Sequence, residues 1–227
     1  PSARDAGAKK ARGDIVIYLD DDLKAPPTYI ESMVRHFKKD SSLSAVMGKI
    51  VNRYSNNIYA SVQYAYYLRG LLAYFPSSTR PQLVTGGRML DCEVTAIRRS
   101  VIKTFGFPVN RPNRYRNDDV DLGLNLLRRG KKILFDPTII VHAAPRTSLW
   151  PLLSTAFWNG YSDACTEHTY NISLQLNKAG KPALVWIWQK THIEKHHFPE
   201  MWYLVLLFLF PFVSRLGRLS YWLLPNL

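Results

Sequence analysis

Clustered acids carry the chemistry legible in this sequence. Asp20-Asp21-Asp22 closes the apolar run Ile15-Val16-Ile17-Tyr18-Leu19. Asn117-Asp118-Asp119-Val120-Asp121 opens a segment in which Val120, Leu124 and Leu127 form an apolar stripe ending at Gly130. Carboxylates are hard oxygen donors, and Mg2+ or Mn2+ takes one or two of them while leaving its other positions to substrate phosphates. In open α/β sheets ligands gather outside the carboxyl ends of strands, so the first cluster predicts a metal-bridged diphosphate. In the second, mutually repelling carboxylates raise one another's pKa toward that of a useful base. A plainer reading stays open for each. Asp after a strand accepts local backbone hydrogen bonds in turns, and Asp in a first helical turn answers orphan amides and the macrodipole.

The elements that must position these acids follow from spacing. Ala3 to Ala11 reads as a short helix broken by Gly13, and Ile15 to Leu19 as a strand buried on both faces. Ile30, Met33, Val34 and Phe37 recur at helical spacing between Pro27 and Lys39, and Ala45 to Val51 is the next strand. Asn57 to Tyr74 is a long aromatic helix, Pro76 to Pro81 a loop, and Leu83 to Arg88 a stretch whose Gly86 and Gly87 permit close backbone approach or serve a tight turn. Glu93 to Arg98 reads as a strand, with Ser100 capping a short helix that ends near Gly106, and Pro108 to Arg116 as a loop. Lys132 to Phe135 and Ile139 to Val141 are short strands around Asp136-Pro137, leading to His142, whose position after an apolar run suits structure as well as catalysis. Leu149 to Ala164 is helical, with Asn159-Gly160 interrupting it. Alternating element types predict an α/β fold with a mostly parallel sheet flanked by helices and a C-terminal helical, apolar appendage. The division expected is a domain over 1–165 and a helical, membrane-associated segment over 166–227.

At 227 residues, 47% apolar and 21% charged, the chain has the composition of a globular protein rather than a disordered one. Its formal charge of +13 points to an anionic partner. Lys and Arg are scattered, and no helix-turn-helix, zinc-knuckle or RNA-recognition signature accompanies them, so nucleic acid is the least supported partner. Cys92 and Cys165 lack metal-ligand spacing and read as buried thiols in a reducing, cytoplasmic setting. Pro1 leads straight into a helical stretch, which reads as a fragment whose N-terminal portion is missing.

The uncharged run Met201 to Val213 falls short of the ~20 residues a spanning helix needs, and Pro211 and Arg215 curtail it. Lys190, Lys195, Trp202, Tyr203, Arg215, Arg218, Tyr221 and Trp222 flank it, a basic and aromatic setting suited to the cytoplasmic face of a membrane. A buried core helix is the competing explanation.

The order of pieces resembles the family 2 glycosyltransferases of the GT-A fold. The pieces are Ala3-Arg4-Asp5-Ala6-Gly7, Ala11-Arg12-Gly13-Asp14, the strand ending Leu19-Asp20-Asp21-Asp22, Arg98-Arg99-Ser100 before Phe105-Gly106-Phe107, and Asp118-Asp119-Val120-Asp121-Leu122, within Ser2 to about Tyr161. The resemblance implies an inverting, nucleotide-sugar-dependent hexosyltransferase. On this chain the family's Asp-any-Asp motif falls on Asp20 and Asp22, so Mg2+ or Mn2+ is implied on Asp22, Asp20 and His142. The acidic pair opening the later helix reads Asp118-Asp119, and Asp119 inherits the role of base, with Asp118 beside it. Arg4, Asp20, Asp21, Gly86, Gly87 and Arg88 fall where donor and acceptor are held. Asp5 stands where Asn is usual and Asn125 where Arg is frequent. The acceptor implied is a glycan or a lipid-linked hydroxyl at a membrane, as in polysaccharide biosynthesis. Rival classes are a metal-dependent nucleotidyl- or phosphotransferase, and a non-enzymatic basic protein binding acidic membrane or nucleic acid.

Overall fold

The structure, a computed structural model, describes residues 2–54, 56–75, 79–85, 90–108, 111–112, 114–172 and 200–225. The chain divides into two compact units. One comprises Pro1–Val51, Ser77–Asn110 and Asp118–Ala143, the other Asn52–Pro76, Arg111–Asn117 and Ala144–Leu227.

The first unit is α/β. Helix α1 (Ser2–Lys10) leads to strand β1 (Ile15–Leu19), then β2 (Leu23–Lys24), α2 (Tyr29–Lys39) and β3 (Leu43–Asn52). After the excursion into the second unit come β4 (Gln82–Leu83), β5 (Val94–Arg98), α4 (Arg99–Phe105), α5 (Asp118–Arg128) and β6 (Lys132–Ala143), with α3 (Ile58–Tyr74) lying in between in the chain. Six strands form one sheet in the order β1-β5-β3-β6-β2, with β4 also on β6. The core combines Met33 and Phe37 of α2, Val46 of β3, Ile97 of β5, Leu122 and Leu126 of α5, and Ile133 and Phe135 of β6. In α5 the expected stripe of Val120, Leu124 and Leu127 is only partly inward, Leu127 being half-buried while Leu122 and Leu126 are fully buried; burying each such side chain contributes about 1.5–3 kcal/mol.

The α/β class and the flanking helices are as the sequence predicts, but strand direction needs correction. The pairings β1·β5, β3·β5, β2·β6 and β4·β6 are all antiparallel. β1 and β3, joined through α2, do point the same way, since each runs opposite to β5. The strand–helix–strand pattern fixes that relation and says nothing of β5, which inserts between them. β1 is therefore an end strand among the described residues. Its residues alternate, with Val16 and Tyr18 buried and Leu19 44% exposed, rather than being buried on both faces.

Further local expectations change. Ser100 lies inside α4, which begins at Arg99. The strands expected on either side of Asp136-Pro137 are one strand, β6, in which Asp136 is buried and accepts from His36 at 2.7 Å and from the Thr138 amide at 2.9 Å. The Asp136 carboxylate thus satisfies the backbone amide of Thr138, just beyond the proline. Gly130 does end α5, at φ +67°. Gly130 donates to Leu127 and Lys131 to Leu126, a Schellman closure that needs the left-handed residue.

The second unit is helical: α3, α6 (Leu149–Tyr170) and α7 (Glu200–Leu223). Asn57 caps α3 by accepting from the Ala60 amide at 3.0 Å. α6 runs through Asn159-Gly160 without a break, and α7 runs through Pro211. Proline removes the hydrogen bond its nitrogen would donate to the carbonyl four residues earlier. Here that carbonyl, on Leu207, accepts from the Tyr66 hydroxyl at 2.5 Å, while Tyr66 stacks on Phe210 with ring centroids 4.4 Å apart. A bond from α3 thus replaces the one that α7 forgoes. We expect Tyr66→Phe to leave that carbonyl orphaned and to cost about 1–3 kcal/mol of stability, measured by chemical denaturation; unchanged stability would refute the assignment.

Continuing through Pro211 makes α7 long and apolar enough, over the 22 residues Trp202–Leu223, to cross a membrane by length and composition. This corrects the expectation of a run too short to span. One face packs on α3 and α6 through Tyr203, Leu206, Leu207 and Phe210. The opposite face leaves Val205, Phe208, Phe212, Leu216, Leu219 and Leu223 exposed.

Candidate active site

Local chemistry first places each acid. Asp20 follows β1, and Asp21 and Asp22 form the turn to β2, closed by the Leu23 amide on the Asp20 carbonyl. Asp118, Asp119 and Asp121 fill the first turn of α5, where free amides and the helix dipole favour negative charge. Arg4, on α1, then ties the two places together. Its Nη1 donates to both oxygens of Asp118 at 3.2 and 3.1 Å, and its Nη2 to those of Asp20 at 3.2 and 3.4 Å. Guanidinium–carboxylate forks of this kind are charge-assisted and geometrically demanding. Burial alone would lower the Arg4 pKa; Asp118, Asp119, Cys92 and Asp20 outweigh it and hold the guanidinium above its ordinary range.

Asp119 stands beside this fork, half-buried, with Oδ1 accepting from the Val120 amide at 2.7 Å and Oδ2 from the Cys92 amide at 3.3 Å. Burial, then Asp91, then Asp118 push its carboxyl up to about 7, against the lowering effect of Arg4. A carboxyl set apart in this way from neighbouring acids is a candidate base.

Asp91 and Glu93 join the group, and sequence reasoning passed over them. Burial raises Asp91 to about 6. Asp91, then burial, then Asp20, Asp119 and Asp22 raise Glu93 to about 9. The signal was present: Asp91-Cys92-Glu93 repeats the acid-any-acid spacing of Asp20 and Asp22, just before a strand. Burial followed by the neighbouring Asp119 holds the Cys92 thiol protonated.

The remaining predicted residues take no part in the Arg4 fork. Asp21, Asp22 and His142 are exposed. His142 lies on β6 opposite Lys24 of β2, and Ala143 opposite Leu23. Asn117 stays out of the acid group, donating instead to Asp163 and Thr166 at 2.9 and 3.3 Å. Gly86, Gly87 and Arg88 lie outside the described residues, as do Lys190 and Lys195. Among the described residues no three His, Cys, Asp or Glu side chains form a ready-made metal cage. The donor set, carboxylates at an open turn, fits a hard cation that keeps positions for substrate oxygens. A cavity of about 290 Å³ between α1 and α4, lined by Asp5, Lys9, Ile102 and Phe107 among others, contains none of the site acids.

The α/β unit thus joins a strand-end acid to a helix-start acid through one arginine, with a raised carboxyl beside them. Residues 1–106 match the model of Glycosyl transferase family 2. No curated protein matches the chain. Among solved structures, a mycobacterial protein shares 18% identity and a TM-score of 0.48, covering 75% of this chain and 51% of its own. The mannosyltransferase PcManGT from Pyrobaculum calidifontis, in complex with GDP-Man and Mn2+, shares 15% identity and a TM-score of 0.48, covering 100% of this chain and 55% of its own. The chain thus spans about half the length of either.

We expect Arg4→Gln to move the activity profile. Removing the cation that holds the Asp119 pKa down lets it climb above about 7, so half-maximal turnover shifts to higher pH. A pH–rate profile superimposable on the parent's would refute this role.

Proposed function

We propose that the protein is an inverting hexosyltransferase that moves a sugar from a nucleotide-diphosphate donor to a hydroxyl of a glycan or lipid-linked acceptor. The observation that supports this most is the Arg4 fork on Asp20 and Asp118, which sets a strand-end acid beside the raised carboxyl of Asp119. Attack by a hydroxyl requires loss of its proton as the new bond forms, and Asp119 takes that proton. A carboxyl near 7 is deprotonated in part at neutral pH and regains a proton readily. Asp118, neutralised by Arg4, holds the first turn of α5 in place. One base and one displacement invert the anomeric centre, unlike the double displacement of retaining glycosidases.

Asp22 and Asp20 would hold Mg2+ or Mn2+, with His142 as a further candidate ligand on β6. When bound, the ion supplies charge neutralisation of the departing diphosphate. Asp21, Gly86, Gly87 and Arg88 are proposed to line the donor and acceptor. Residues 1–165 are proposed as the transferase domain and 166–227 as a segment resting on the cytoplasmic face of a membrane. The exposed apolar face of α7 supports that docking, and polysaccharide biosynthesis is the setting it suggests.

The deciding experiment incubates the protein with a panel of nucleotide sugars and Mn2+ or Mg2+ and scores released nucleoside diphosphate. Release that depends on the metal and on Asp119 supports the reading. Pyrophosphate or phosphorylated products instead would replace it with nucleotidyl or phosphoryl transfer.

A further inference from the structure

Gly123 lies one turn beyond Asp119, on the same face of α5. A Cβ at this position would stand 2.8 Å from the Leu90 Cβ, 3.4 Å from the Leu90 amide nitrogen and 3.7 Å from its Cα. Carbon atoms in contact prefer about 3.5–4.0 Å, and the Leu90 Cβ is fixed to its backbone, so it cannot turn away. Inside a helix glycine is otherwise less favourable than alanine. Here its lack of a side chain lets the segment leading into β5 lie directly against α5.

Three donors converge on Asp91 and hold that segment as one piece. The Glu93 amide donates to its Oδ1 at 3.1 Å, the Val94 amide to its carbonyl at 3.1 Å, and the Thr95 hydroxyl to the same carbonyl. Leu90, Cys92, Val94 and Thr95 are all buried. The turn so closed delivers the Cys92 amide to Oδ2 of Asp119 at 3.3 Å, while the Val120 amide holds Oδ1 at 2.7 Å. One oxygen of the carboxylate is thus held from within α5, and the other from across the contact of Leu90 with Gly123.

We propose that Gly123 is a positioning residue: its missing side chain lets the turn 90–95 close on α5 and fix the direction of the Asp119 carboxylate. What Asp119 does rests on the proposed sugar transfer, whereas where it is held does not. The charged and titratable groups around it are Asp91, Cys92 and Glu93 from the turn, Asp118 from α5, and Arg4 from α1, which also binds Asp20. Closure of the turn buries Asp119 and brings Asp91 up to it, the two largest influences that keep its proton on. Pushing the turn away by the distance a methyl needs weakens both.

The test is a double-mutant cycle across the contact: parent, G123A, L90G and G123A/L90G, each verified as folded by circular dichroism. Removing the Leu90 Cβ gives the new methyl room, since the next atoms lie at 3.4 and 3.7 Å. The Asp119 carboxyl is titrated by carbon NMR without substrate, and kcat and KM are then measured with a nucleotide sugar and Mn2+. In G123A the midpoint is expected to fall below the parent's value of about 7. Its kcat is expected to drop on the order of 10- to 100-fold, as for a displaced catalytic group, with donor KM within about twofold. G123A/L90G is expected to return both quantities to those of L90G. Thr95→Val, which removes the hydroxyl from the Asp91 carbonyl and loosens the same turn, is expected to lower the midpoint in the same direction and decides the matter if G123A does not fold. A midpoint in the folded variant equal to the parent's, or a loss in G123A that L90G does not relieve, overturns the proposal. The expected midpoints in a protein that releases no nucleoside diphosphate from any donor would support the placement of Asp119 and refute sugar transfer alone.

Discussion

Asp119→Asn is expected to remove the proposed sugar transfer, lowering kcat by about 10²–10⁴-fold as for loss of a general base, with metal-dependent donor binding expected to stay within about twofold. The amide keeps the shape of the carboxyl and its contacts with α5, but has no lone pair basic enough to accept a hydroxyl proton. Single-turnover kinetics alongside donor titration separate the two effects; a variant as active as the parent would sink the assignment. In the parent, turnover is expected to rise with pH through about 7, because the carboxyl must be ionised to act and burial and Asp91 hold its proton on.

Stability moves in the opposite sense. The folded carboxyl ionises near 7 and an unfolded one near its ordinary 3.8, so between those values the unfolded chain has released a proton that the folded chain retains. Folding stability is therefore lost as pH rises across that window. Asp119→Asn, which cannot ionise, is expected to unfold at a higher temperature than the parent at pH 8 and at the same temperature below pH about 4. A base held at a cost to the fold is what a functional acid cluster predicts and a helix cap does not.

The largest expected loss of stability lies in the second unit. Gly160 of α6 and Gly217 of α7 mark where the two backbones meet. A Cβ on Gly160 would stand 1.8 Å from the Ser214 carbonyl oxygen, and one on Gly217 1.9 Å from that of Phe157. Backbone cannot swing aside as a side chain can, so either methyl forces the helices apart. Overpacking typically costs about 1–3 kcal/mol where side chains can adjust. Here separation also opens the aromatic cluster of Trp158, Tyr161 and Tyr221 and weakens the pairing of Arg218 with Asp163 and Glu167. We expect Gly160→Val or Gly217→Val to cost more than about 3 kcal/mol and to lower Tm by on the order of 10 °C, read by thermal melts in circular dichroism. A melt within 2–3 °C of the parent would show that the helices do not meet there.

Local signals carried much of the fold. The apolar run 15–19, the amphipathic spacing of Met33 and Phe37 and the stop at Gly130 each act through neighbours in the chain, and each appears where the pattern placed it. Pro211 misled for the same reason. Its local effect is to break a helix, and the hydroxyl that repairs the break comes from Tyr66, 141 residues away from Leu207. β5 likewise shows strand character in sequence, while its insertion antiparallel between β1 and β3 is a matter of pairing.

By itself the sequence determined which residues carry charge and how each is presented: acids at a strand end, acids in the first turn of a helix, an apolar stripe behind them. Residue type and short-range periodicity suffice for that, because turns, caps and helix faces are settled within a few residues. Only the tertiary structure decided that the acids belong together, since the Arg4 fork joins positions 114 residues apart and no local pattern encodes so distant a partner. It also brought Asp91 and Glu93 to the same place, and burial together with Asp91 made Asp119 a weaker acid. A pKa depends on burial and on every charge nearby, and those are set when remote segments pack.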